Sequence, residues 1–163
     1  MAKKHAASNK TNAARLLDAA GIGYTLVPYP VDEEHLEATH VAECLGEDIQ
    51  RVFKTLVLRG ERCGLFVCVV PGDAEVDLKK AARAIGDKKV DLIAVRELLP
   101  LTGYIRGGCS PIGMKKALPT LIHDTVSDFD TIYVSAGVRG LQLCIAPADL
   151  ISVTGATVTD IIK

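Results

Sequence analysis

Two periodicities run through the chain. In residues 11–20, Ala13, Leu16, Leu17 and Ala20 recur at three- and four-residue spacing, and Gly21 follows. That pattern predicts a helix with a glycine stop. Residues 77–85 carry the clearest helical stripe: Leu78, Ala81, Ala82 and Ile85 on one side, with Lys79, Lys80 and Arg83 opposite. Shorter helices are predicted over 41–45, 96–99 and 148–152. Strand-like runs, rich in β-branched residues, fall at 24–29, 52–58, 65–70, 90–94, 104–106, 120–123, 131–134 and 141–145. The connection 59–64 contains Gly60 and Gly64, so 52–58 and 65–70 should form an antiparallel hairpin. Helices interrupt the strands irregularly, without βαβ alternation. The expected fold is α/β of the α+β type: a mixed, largely antiparallel sheet with barrel character, surrounded by helices.

Composition narrows this picture. A length of 163 residues suits one domain, and 48% apolar with 24% charged residues excludes disorder and coiled coil. No apolar run approaches the roughly 18 residues of a membrane span. Residues 1–5 are basic but lead into no apolar stretch, so no secretory leader is read, and a cytoplasmic location is expected. Residues 1–9 read as a flexible tail before a single domain. Nineteen Lys and Arg against 20 Asp and Glu give a net charge of −1, so any nucleic-acid contact must come from a local basic face. Five cysteines without a C-x-x-C pair read as reduced thiols. Aromatic residues are only 4%, with no Trp, which argues against a base-stacking platform.

Three places stand out chemically. Strand alternation puts Lys54 on the face of Val52, Leu56 and Leu58. An ammonium there either snorkels from a sheet edge or sits at the mouth of a cavity, aimed at negative charge. The loop 103–113 contains Gly107-Gly108-Cys109-Ser110-Pro111, in which paired glycines permit a tight turn or a close backbone approach to a ligand. Gly108 and Gly113 have the spacing of a phosphate loop, but Met114 stands where that motif needs lysine, and the nucleotide-triphosphatase reading fails. Ser135-Ala136-Gly137-Val138-Arg139-Gly140, after a strand, is a hairpin turn or a ligand contact. His35 and His40 lack metal spacing, and His123 and Asp124, as strand neighbours, should point to opposite faces and form no dyad.

The same places carry a family resemblance. Val52-Phe53-Lys54-Thr55-Leu56, Asp77-Leu78-Lys79-Lys80, the loop from Gly103-Tyr104 to Gly113, and the run from Ile132 through Ser135-Ala136-Gly137 to Leu141 follow one another in family order. Over residues 10–160 the chain resembles the YbaK family of aminoacyl-tRNA deacylases, free-standing relatives of the editing domain of bacterial prolyl-tRNA synthetases. The resemblance implies hydrolysis of a mischarged aminoacyl-tRNA, in the closest subgroup Cys-tRNA(Pro) and also Cys-tRNA(Cys), with no metal or cofactor. It puts the essential lysine on Lys54 and the G-x-x-x-P loop on residues 107–111. Gly107 and Gly108 then supply backbone donors, and Tyr29, Thr55, Ser110, Pro111, Ser135, Ala136 and Gly137 line the substrate. Cys109 and Gln142 depart from the family pattern, where a branched apolar residue and sometimes an aspartate stand. With the family in view, Lys79, Lys80, Arg83, Lys115 and Lys116 are expected to hold the acceptor end of tRNA(Pro), with prolyl-tRNA synthetase as a partner and neither membrane nor DNA involved. Two alternatives remain open at this point: a non-catalytic tRNA- or synthetase-binding module on the same fold, and a deacylase of Ala-tRNA(Pro).

Overall fold

The structure, a computed structural model, describes residues 10–163, so the tail expected over 1–9 lies outside the described residues. Thr11 caps the first helix, α1 (Asn12–Ala19), by accepting from the Ala14 N–H. Strand β1 (Thr25–Pro28) and helix α2 (Ala38–Leu45) follow. A 3-10 turn, Ile49–Arg51, leads into the hairpin β2 (Phe53–Gly60) and β3 (Gly64–Pro71). Helix α3 (Leu78–Ile85) is capped by the Asp77 carboxylate, which accepts from the Lys79 and Lys80 N–H groups, and Gly86 in the left-handed region ends it. Then come β4 (Val90–Leu92), α4 (Val95–Thr102), β5 (Thr120–His123), β6 (Ile132–Ser135), β7 (Leu141–Ile145), α5 (Pro147–Thr154) and β8 (Thr157–Thr159).

These strands form two sheets among the described residues, with no closed barrel. One is three-stranded and antiparallel, in the order β1-β7-β6; the other is five-stranded, in the order β4-β2-β3-β5-β8. The second is mixed, because β5 pairs parallel with both β3 and β8 while β2 is antiparallel to β3 and β4. A single bridge, Val52 to Tyr133, links the sheets. The expected barrel character is corrected accordingly: one bridge joins β6 to the residue before β2, where a barrel needs a continuous ladder.

Alternation along β2 sets the layers. Phe53 and Val57 face the main core, where Val67, Val69 and Ile122 meet Ile132, Val134, Leu143 and Ile145 of the other sheet. Leu58, with Leu56 beside it, faces away, into a second cluster with Phe66, Cys68, Val70 and Ala81 and Ala82 of α3. Lys54 shares the parity of Leu56 and Leu58, as alternation predicts. Val52 precedes the strand and packs with Val41, Ala42 and Tyr133.

Three local expectations change. Residues 104–106 are loop and no strand, because Tyr104 turns inward and donates its hydroxyl to the Ile112 carbonyl at 2.5 Å. Strand β8 is too short and polar to have shown a period. His123 and Asp124 do meet, with Nε2 3.3 Å from Oδ1, because β5 stops at His123 and a 3-10 turn (Asp124–Asp128) starts on the next residue. His123 Nδ1 accepts from the Ile161 N–H, so this imidazole ties the C-terminal segment to β5.

Candidate functional site

A cavity of about 380 Å³ opens beside the N-terminal half of β2. Its walls are mainly apolar: Leu36, Val41, Val52, Phe53, Leu56, Val57, Ile93 and Leu98. Polar and charged residues among the lining are few, namely Glu37, Lys54, Thr55, Arg106, Ser135 and Gln142, and Gly107 and Cys109 line it as well. An apolar chamber with few convergent polar groups is the usual form of a small-ligand site.

Lys54 is the only lysine among the cavity's described lining residues. The side chain is half-buried, and its ammonium has neither a hydrogen bond nor an ion pair among the described residues. Burial holds its pKa below the ordinary lysine value, while the carboxylates of Asp73 and Glu75 pull the other way without touching it. Of the two readings of this lysine, the cavity supports a cation held for a ligand. Two polar atoms on the same walls, Thr55 Oγ1 and Gln142 Oε1, are buried with no partner among the described residues. Gln142 is 5% exposed and sits opposite Ser135 in the β6–β7 pair. Buried polar atoms cost free energy unless satisfied, so two of them on residues of one cavity wall mark a polar spot that the described residues do not complete.

The glycine loops are built against each other. A Cβ on Gly108 would lie 3.1 Å from the backbone of Val138 and Arg139, and Arg139 Nε donates to the Arg106 carbonyl at 2.9 Å. A side chain at Gly108 would crowd that backbone, and the Gly108 N–H is already spent on the Ile105 carbonyl. The same holds in the other loop: the Ala136 N–H donates to Leu141 and the Gly137 N–H to Ser135 Oγ. Gly108 thus does not supply the free donor expected of it, and the N–H groups of Ala136 and Gly137 are engaged as well. Gly107 (φ +84°) and Cys109 both line the cavity, and neither N–H has a partner among the described residues.

Other expected residues lie elsewhere. Pro111 lines a separate cavity of about 290 Å³ with Ile112 and Met114. Ser110 is fully buried and accepts from the Ile112 N–H. Tyr29 packs beside the Val52 cluster, outside the cavity. None of Lys79, Lys80, Arg83, Lys115 and Lys116 lines the cavity. Lys80 is committed to Asp160 at 2.8 Å and to the Ile162 carbonyl, and Lys115 Nζ donates to the Pro100 carbonyl. Arg106 and the segment 92–98 do border the cavity and were not among the expected site residues. Nothing in their local pattern signals it, because the loop and helix that carry them are placed by tertiary packing.

All five cysteines are unpaired, and burial pushes the Cys109 thiol up to about 12, so it is no nucleophile near neutrality. No cluster of three His, Cys, Asp or Glu side chains suited to a metal occurs among the described residues. No helix among them is long and apolar enough to cross a membrane.

Known proteins agree with this architecture. The chain is 45% identical over 161 residues, covering 99% of this chain and 98% of the relative, to EbsC of Enterococcus faecalis, which bears the name of a Cys-tRNA(Pro)/Cys-tRNA(Cys) deacylase. A proline–tRNA ligase of Thermosipho africanus is 34% identical over 76 residues, 47% of this chain and 13% of that enzyme. Among solved structures, a protein named as a trans-editing enzyme for prolyl-tRNA synthetase superposes with a TM-score of 0.82 at 26% identity, over 93% of this chain and 95% of that one. The hypothetical protein APE2540 superposes with a TM-score of 0.86 at 23% identity, over 94% of this chain and all of the other, which attests the fold. The model of the aminoacyl-tRNA editing domain matches residues 32–153, a span that holds Lys54, both glycine loops and every wall of the cavity, and the chain belongs to that family.

Proposed function

We propose that the protein hydrolyses the ester of Cys-tRNA(Pro), releasing cysteine and tRNA. The observation that carries this reading is the unpaired, half-buried Lys54 ammonium on a cavity wall that also holds two unsatisfied polar atoms. An aminoacyl ester is already activated, so orientation and donors for the developing oxyanion can supply much of the rate. The amino acid enters the cavity, and its α-ammonium donates a hydrogen bond to Gln142 Oε1. Water adds to the ester carbon, and the negative charge that builds on the carbonyl oxygen meets the free N–H groups of Gly107 and Cys109 and the Lys54 cation. The bond from carbon to the ribose oxygen then breaks, and that oxygen leaves with the proton given up by the attacking water. Thr55 Oγ1 offers one further contact to the substrate. Cytoplasmic tRNA(Pro) is the substrate's carrier, with the exposed Lys79, Arg83 and Lys116 as its grip and prolyl-tRNA synthetase as the partner that supplies tRNA identity.

The test is turnover of Cys-, Ala- and Pro-charged tRNA(Pro) by the purified protein. Cys-tRNA(Pro) should be cleaved fastest. Equal or faster cleavage of Ala-tRNA(Pro) overturns the cysteine assignment, and tRNA binding without turnover of any charged form overturns the enzyme reading. Adding the synthetase should raise discrimination between Cys-tRNA(Pro) and Cys-tRNA(Cys); no change removes it as a partner.

A further inference from the structure

The cavity's opening is identified by those lining residues that are also exposed: Glu37, Leu92, Ala94, Val95 and Arg106. One side of this mouth is conspicuously apolar. Leu92 is 53% exposed at the end of the edge strand β4, and Val95 is 64% exposed on the first turn of α4. Leu99, one turn further along α4, is 52% exposed and extends the lip outward. Large apolar side chains left open beside a cavity mark a binding surface. Arg106 stands at the same mouth, and its guanidinium has no hydrogen bond or ion pair among the described residues. Glu37, the one carboxylate among the described rim residues, has its Oε1 3.4 Å from His35 Nδ1.

We infer that the lip of Leu92, Val95 and Leu99 seats the ribose and base of the tRNA's terminal nucleoside, while Arg106 takes the phosphate on its 5′ side. This rests on the deacylase reading and extends it outward by simple connectivity. With the amino acid inside the cavity, its ester oxygen belongs to a ribose, so the next group through the mouth is a nucleoside and the next after that a phosphate. An apolar strip suits the face of a sugar and a purine, and an unpaired arginine suits a phosphate oxygen. Because the contact is to a base face and a backbone, it is the same for every tRNA, so tRNA identity must be read elsewhere.

The experiment compares three esters of cysteine: charged tRNA, cysteinyl-adenosine and cysteine ethyl ester. In the doubly substituted Leu92→Ser, Val95→Ser protein, the ratio of kcat/KM for cysteinyl-adenosine to that for the ethyl ester should fall at least about tenfold. Arg106→Gln should lower kcat/KM on charged tRNA and flatten its log–log salt dependence by about 0.7, one phosphate's worth, with the adenosine-to-ethyl-ester ratio held within about threefold. An unchanged ratio in the lip variant, or a salt slope untouched in Arg106→Gln, overturns the assignment. A lip variant impaired only when the synthetase is present makes the strip a protein-docking face and also overturns it. Binding of the uncharged trinucleotide CCA, followed by backbone amide shifts, separates this failure from that of the deacylase reading. Shifts across residues 92–99 with no turnover of any ester overturn the enzyme alone; turnover without those shifts overturns the lip.

Discussion

Replacing Lys54 by Met should separate function from stability, moving the two in opposite directions. The ammonium shares its strand parity with Leu56 and Leu58, is half-buried and has no partner among the described residues, so folding partly desolvates a charge and gains no pairing in return. Met keeps most of the apolar stem and removes the charge. Its expected effect on stability is a gain of about 0.5–1 kcal/mol, at the low end of stabilising substitutions taken at functional positions, because the group is still partly solvated. For a chain of this length that is about 1–4 °C in Tm. The rate on Cys-tRNA(Pro) should fall by about 10²–10³, the usual cost of one lost transition-state donor. The stability gain should also depend on pH. Burial lowers the folded-state pKa of Lys54 below the ordinary value of 10.5, so between the two the unfolded chain binds more protons, and wild-type stability rises with pH in that window. The difference between Lys54→Met and wild type is therefore full near neutrality and closes as pH approaches 10.5. Urea denaturation at several pH values, with single-turnover deacylation alongside, reads both effects. A folded Lys54→Met protein within tenfold of wild-type rate, or one destabilised by more than about 1 kcal/mol, refutes the reasoning.

Asp87 accepts hydrogen bonds from the Cys63, Arg62 and Lys88 N–H groups, and these donors hold its carboxyl far below the usual carboxylate range. Its contribution to stability is present above the ordinary aspartate pKa and lost as pH falls towards the depressed one; in Asp87→Asn the acid limb of a pH–stability profile should therefore flatten, and an unchanged limb would assign acid lability to other groups. Cys109→Ser should keep its rate within about tenfold, since a thiol pushed up to about 12 carries almost no thiolate near neutrality, and a mass-detected covalent cysteinyl or acyl adduct on wild-type Cys109 would contradict this.

What the sequence revealed and what it hid divide along a physical line. Helix α3 was legible because its stripe, its Asp77 cap and its Gly86 stop all lie within ten residues and agree. The hairpin of β2 and β3 was legible because Gly60 and Gly64 close a register that alternation alone dictates; a Cβ on Gly60 would collide with Cys63 Sγ and the Asp87 carboxylate. Lys54 stood out for the same local reason, as a charge breaking the parity of an apolar face. Hydrogen bonding inside a loop is different, because Gly107 and Gly108 are chemically identical in sequence. Only the folded path shows that the Gly108 N–H is spent on Ile105 and that a Cβ there would crowd Val138, while the Gly107 N–H has no partner among the described residues. Gln142 illustrates the converse. As a residue on β7 it is an unremarkable polar position, and as a departure from a family pattern it only subtracts an expected carboxylate. Its meaning comes from burial without a partner, which is a property of three elements meeting around a cavity. Gln142 lines the same cavity as Lys54, and a neutral amide there adds no negative charge to the walls that hold the ammonium, whereas a carboxylate would add a second charge to a site with few polar groups.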